Sequence, residues 1–240
     1  EVIDDFYSDL KDEYKEDELN LKAKFIIANE PALQNGVRYT DTDLNRSFPG
    51  NKESDLYEER LASDLMSKLE NVRCVLSIHS SYSTPPPFAI TSHIESEMNK
   101  RTLRSLPVKH VVDTKELRQT TLDANFRNTV TIEAGKPNKS VTNVAYKSIE
   151  NYLEAHGVFP HKSISSDEKI LVRAKREIDK SHGKPNVYYG NFERVPEGET
   201  IAEDSGVQHV STSDNTVPVL ISEHGYEDIF GLVGKEIGQL

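Results

Sequence analysis

Three places in the chain carry side chains whose type and spacing suit chemistry. Arg38 and Arg46 stand eight positions apart with Asn45 beside the second. A loop that folds back on itself could aim both guanidinium forks and one amide at a single small anion, and the planar fork of arginine suits a carboxylate because it donates two parallel hydrogen bonds. Asp41 and Asp43 share the run and could instead pair with these arginines on a solvated turn, which charge pattern alone favours. His79 follows the apolar run 72–78, and Glu133 closes the alternating run 126–133. The carboxyl edge of an α/β sheet is where sites are built. Yet a histidine at a strand end is more often a hydrogen-bonded surface group, and a glutamate there often caps a turn or pairs with a lysine such as Lys136. Both readings stay open on the residues alone.

A resemblance narrows them. The run Arg38-Tyr39-Thr40-Asp41-Thr42-Asp43-Leu44-Asn45-Arg46-Ser47-Phe48-Pro49-Gly50, with Asn29, Pro31 and Ala32 before it, resembles the signature N-P-x-A…R…D-x-D-L-N-R-x-F-P-G of the succinylglutamate desuccinylase/aspartoacylase family of zinc hydrolases. Glu30 departs from that pattern by separating Asn29 from Pro31. Ser77-Ile78-His79-Ser80 and Thr131-Ile132-Glu133-Ala134-Gly135 resemble the family's D-L-H-S and T-[IL]-E-x-G motifs, in the family's order.

The resemblance implies a Zn2+-dependent hydrolase cleaving the amide, or ester, bond of an N-acyl amino acid or similar small acylated carboxylate. It implies His79 as a zinc ligand and Glu133 as the base that takes a proton from zinc-bound water and returns it to the leaving amine. Arg38 would stabilise the oxyanion beside the metal, and Asn45 with Arg46 would grip the substrate carboxylate. Arg127 lies where the family often keeps another substrate-binding arginine, and Tyr226 stands in for a substrate-touching tyrosine of its C-terminal β domain. The family's other two zinc ligands come from an H-x-x-E loop after the first core strand; nothing before Val2 supplies it, so the chain is expected to start beyond that point. A peptide-cleaving zinc carboxypeptidase and a non-catalytic anion-binding relative are the alternatives.

The elements that must hold these residues are read from periodicity. Apolar positions at helical spacing predict an amphipathic helix near residues 2–10 and helices over 57–69, 94–106 and 141–156, the last closed by Gly157. Short apolar runs predict buried strands at 24–28, 72–78, 88–90, 108–112 and 126–133. Beyond a polar linker at 160–167 the pattern changes to short strands at 169–174, 186–189, 200–202, 217–221 and 229–233, as in a small barrel or sandwich. The expected fold is therefore α/β, a zinc-carboxypeptidase-like mixed sheet flanked by helices over residues 1–160, followed by a small β-rich domain over 168–240.

With 240 residues, 35% of them hydrophobic and 29% charged, the chain can bury a sizeable core. The net charge of −11 disfavours nucleic acid, whose phosphates would be repelled. No apolar run approaches the ~20 residues that cross a bilayer, and a cytoplasmic protein acting on a small molecule is expected, with homo-oligomerisation left open. The lone Cys74 lies in an apolar run, where a thiol behaves as a small hydrophobe.

Overall fold

The computed structural model describes residues 23–80, 86–117, 119–136, 139–158, 168–225 and 228–240. The helix expected near residues 2–10, the linker at 160–167 and Tyr226 lie outside the described residues.

The chain runs α1 (Glu30–Asn35), a single 3-10 turn (Leu44–Arg46), α2 (Tyr57–Leu69), β1 (Val75–His79), β2 (Phe88–Thr91), α3 (Glu97–Ser105), β3 (His110–Asp113), α4 (Leu122–Asn125), β4 (Thr129–Glu133) and α5 (Lys139–Ala155). It then turns to strands: β5 (Ile170–Asp179), β6 (Asn186–Val187), β7 (Thr200–Asp204), β8 (Val207–Val210), β9 (Thr216–Val219) and β10 (Ile229–Gln239). Capping accounts for several boundaries. The Asn29 side chain accepts from Ala32 N–H to open α1, left-handed Gly36 ends it, and Ser96 accepts from Asn99 N–H to open α3.

Seven strands form one mixed sheet in the order β1-β4-β2-β3-β5-β10-β9. Register decides what each face carries, because directly paired residues share a face. β1 pairs parallel with β4, Ser77 opposite Thr131 and His79 opposite Glu133; Phe88 of antiparallel β2 lies on the other side of Glu133, and His110 of β3 lies beyond Phe88. The alternate residues Ala89, Val111, Val130 and Ile132 form the core on the opposite face, packed with Leu103 and Leu106 from the region of α3. His79 and Glu133 thus stand on the face opposite this core, at the edge of a second apolar cluster that begins with Phe88 and Val112.

One expectation needs correction: residues 24–28 are not a strand. Phe25 packs with Ile149 and Leu153 of α5, and Ile26 packs with Ala62 and Leu65 of α2, so their apolar side chains are half-buried against helices without joining the sheet. The segment after residue 168 is β-rich, as expected. β5 pairs parallel with β3 and antiparallel with β10, so the first sheet continues into this segment, while β6-β7-β8 make a second, three-stranded sheet. Strand β8 went unread because it is polar and mostly exposed. Its signal is Ser205-Gly206, both at positive φ, which turns the chain back from β7.

One polar cluster ties α5 to its neighbours. Tyr152 Oη donates to the Cys74 carbonyl at 2.9 Å, His156 Nδ1 lies 3.5 Å from Cys74 Sγ, and its Nε2 lies 2.8 Å from Thr102 Oγ1 of α3. Burial, with the positive charges of Arg101 and Arg73, holds the His156 pKa down at about 4, and burial pushes the thiol up. This is a neutral structural contact.

Candidate active site

His79 and Glu133 are the last residues of adjacent parallel strands, and the register alone sets them side by side. Their side chains meet, His79 Nδ1 lying 3.3 Å from Glu133 Oε1, and Nε2 lies 3.1 Å from Ser77 Oγ two residues back on the same face. Burial by itself would lower the His79 pKa. The hydrogen bond and charge of Glu133, with Asp123 and Asp43 farther off, offset it and hold the imidazole above its ordinary value.

The arginine run lies at the same cavity as a loop anchored by its apolar members. Phe48 is buried with Ala62 and Leu65 of α2, with Leu44 and Leu122 packed against them. Tyr39, the remaining large apolar side chain of the run, is by contrast 43% exposed. The far end of the loop needs a glycine: Gly50 sits at φ +92, and a Cβ there would come 2.1 Å from the Ser63 backbone nitrogen in α2.

Within the loop, Asp43 organises the cations. Its Oδ2 accepts from Arg38 Nε at 3.1 Å and Nη2 at 2.8 Å, while Oδ1 accepts from Asn45 N–H and opens the 3-10 turn. Burial works against ionisation of Asp43, but Arg38, then Arg46 and the Asn45 N–H, lower its pKa overall. The pairing of an arginine with Asp43 that charge pattern favours is therefore present for Arg38. It fixes the guanidinium in place beside the cavity. Asn45 Oδ1 accepts from Leu122 N–H, linking the loop to α4, and Arg46 Nη1 donates to the Asn45 carbonyl.

The cavity lined by these groups measures about 1640 Å³ and includes Arg38, Asp43, Asn45, Arg46, His79, Asp123 and Glu133. That is larger than a small-molecule site needs, because it runs on along β1 past Leu76 and Tyr152. The Asp123 carboxylate accepts from Ser92 Oγ at 2.6 Å and Thr114 Oγ1 at 3.1 Å, a group the sequence reading did not single out.

Arg127 is not brought to the others. It lies in the turn before β4 (Thr129–Glu133), whose length alone, at ~3.3 Å per residue, sets about 13 Å between that end of the strand and Glu133. Its side chain lies on the surface, 3.7 Å from Glu95. The more informative omission is Glu58. A glutamate in the first turn of a charged helix reads as solvent-facing, yet Glu58 is 0% exposed and its carboxylate is held by the loop's own backbone.

Catalytic zinc takes three protein ligands. His79 and Glu133 meet at the site, with both His79 ring nitrogens already on protein partners, and among the described residues no three His, Cys, Asp or Glu side chains come together. The described residues do not by themselves fit the ion, and no step below depends on it.

Comparison with known proteins bears on the family and the fold. Residues 1–154 match the profile of the succinylglutamate desuccinylase/aspartoacylase catalytic domain. A probable aspartoacylase from Prochlorococcus marinus strain CCMP1986 is 39% identical over 56 residues, a segment that is 23% of this chain and 19% of that protein's length. Among solved structures, murine aminoacylase 3 superposes with a TM-score of 0.68 at 18% identity over 90% of this chain and 83% of its own. Succinylglutamate desuccinylase from Vibrio parahaemolyticus gives 0.66 at 18% identity, covering 89% and 71%. At such identities the structural likeness speaks for the fold.

Proposed function

The chain belongs to the succinylglutamate desuccinylase/aspartoacylase family, whose members are acyl-amino-acid hydrolases, and from that premise we propose that it hydrolyses the amide bond of a small N-acyl amino acid carrying a free carboxylate. One observation carries the reading. The His79–Glu133 pair and the loop bearing Arg38, Asn45 and Arg46 line one cavity although they come from three separate stretches of sequence.

Each residue has a task within it. Glu133 takes a proton from the attacking water and passes it to the departing amine nitrogen. His79 orients that carboxylate through Nδ1, and Ser77 fixes the ring from its other side. Arg38, held by Asp43, offers positive charge to the carbonyl oxygen as it turns tetrahedral. Arg46 and Asn45 grip the substrate carboxylate, Arg46 through its bidentate fork. Zinc binding at this site would need ligands beyond those described.

The test is release of free amine from a panel of N-acyl amino acids, their carboxamides and short peptides, with zinc supplied, in wild type and Glu133→Gln. Glutamine keeps the size and removes the basicity, so kcat should fall at least ~10²-fold with stability nearly unchanged. Turnover confined to acylated acids supports the reading. Preference for peptides would move it to a carboxypeptidase, and undiminished kcat in Glu133→Gln would remove Glu133 from the chemistry.

A further inference from the structure

We propose that Glu58 is a positioning residue for the site: an internal carboxylate around which the backbone of residues 40–42 is wrapped, so that Arg38, Asn45 and Arg46 face the cavity together. The claim about geometry stands by itself, and the claim that this serves turnover rests on the deacylase reading.

The carboxylate receives four N–H donors. Oε1 accepts from Thr40 N–H at 2.5 Å and Asn29 Nδ2 at 3.0 Å, and Oε2 accepts from Asp41 N–H at 3.0 Å and Thr42 N–H at 3.1 Å. Three consecutive backbone N–H groups converging on one anion form a concave nest, a shape that loops elsewhere use to hold phosphate or carboxylate. Here the anion belongs to the chain. A buried carboxylate is costly unless its lone pairs are satisfied, and Glu58 shows no exposure at all. Burial raises its pKa, but the N–H donors of Thr40, Asp41, Thr42 and Asn29 together bring it down to about 2, so the anchor stays ionised at any working pH.

The fastening is reciprocal. Glu58, in the first turn of α2, takes N–H groups from the loop, while Asp41 of the loop takes the Tyr57 N–H of α2 at 2.7 Å through Oδ2. This is the logic of a capping box carried out between two segments. At its other end the loop is tied to α2 again, Asn51 N–H donating to the Glu59 carbonyl. The residue after the nest is Asp43, which seats Arg38 and opens the turn holding Asn45 and Arg46. Displacing residues 40–42 therefore displaces every group offered as the anion grip.

Substitutions separate this role from simple stability. Each Glu58 oxygen accepts two donors; Glu58→Gln keeps the volume but turns an NH2 toward two N–H groups, opening half of the clasp. Glu58→Ala removes the anion and leaves a hole lined by donors that formate can enter. Both variants, checked for folding by circular dichroism, should lower kcat/KM for an N-acyl amino acid by at least about tenfold, through KM as Asn45 and Arg46 lose the carboxylate and through kcat as Arg38 leaves the carbonyl oxygen. Backbone hydrogen exchange at Thr40, Asp41 and Thr42 should accelerate in both. Sodium formate should restore protection at these amides in Glu58→Ala and leave Glu58→Gln, whose hole is filled, unchanged.

The exchange readout needs no turnover. Restored protection with no activity in any protein, wild type included, would sink the deacylase reading and leave the Glu58 assignment standing. Wild-type exchange at residues 40–42 in the variants, or unchanged kcat/KM for acyl-amino acids in an active enzyme, would overturn the assignment. If Glu58→Ala does not fold, Glu58→Gln carries the exchange and kinetic tests alone.

Discussion

Arg46 donates to a backbone carbonyl in its own turn and lines the cavity, so its charge and its fork can be tested apart. Arg46→Lys keeps the charge and loses the second parallel hydrogen bond. The drop in kcat/KM should be about tenfold larger for acyl-amino acids than for their carboxamides. Equal losses on both substrates would show that Arg46 serves the loop and not the ligand. At this scale the sequence was legible wherever a side chain's type and its place at a strand end coincided, as for His79 and Glu133. The pairing of Asp43 with an arginine was also legible from charge pattern, whereas nothing local marks that Arg127 falls before β4, the strand that Glu133 ends. Glu58 could not be found from local pattern, since an acidic residue opening a helix is also what favourable interaction with the helix dipole produces. Only the depth of its burial sets it apart.

Elements hold these residues through register more than through length. Helices α2, α3 and α5 were readable because each repeats apolar residues on one face, and β1 and β4 because each ends in a polar residue after an apolar run. Residues 24–28 have the same composition as a buried strand but pack on helices, a distinction that short apolar runs do not encode. The cluster joining α5, α3 and β1 gives a prediction of its own. His156 has a folded pKa of about 4 against an unfolded value of ~6.5. The unfolded chain therefore takes up this proton first as the medium is acidified. Stability that is whole above pH ~6.5 is lost progressively as pH falls to about 4. His156→Gln retains polar contact without titrating, so its melting temperature should fall less than that of wild type between pH ~7 and ~4.5. Parallel slopes in the two proteins would mean that His156 is solvated enough to titrate normally.

For the molecule as a whole, the metal question is one of stoichiometry. The described residues offer one imidazole at the site, so the purified, dialysed chain should carry well under one zinc per molecule by elemental analysis, and His79→Ala should change that little. A full equivalent that disappears with His79→Ala would show that residues outside the described set complete the centre. The other whole-molecule feature is the unbroken sheet. Residues 1–160 and 168–240 differ in composition, and a parallel pairing between distant strands such as β3 and β5 leaves no mark in either segment. The continuity sets where the chain can be cut. Phe88 and Val112 share one apolar cluster with Val172, Ala174, Val217, Val219 and Leu232, so the stretch that carries all the recognisable motifs cannot be excised without stripping a whole side of its core and baring the hydrogen-bonding edge of β3. Residues 1–160 expressed alone should aggregate or bind a hydrophobic dye while the full chain does not. Any inheritance, swap or engineered fusion of this catalytic segment then has to carry the later strands with it as a single indivisible unit.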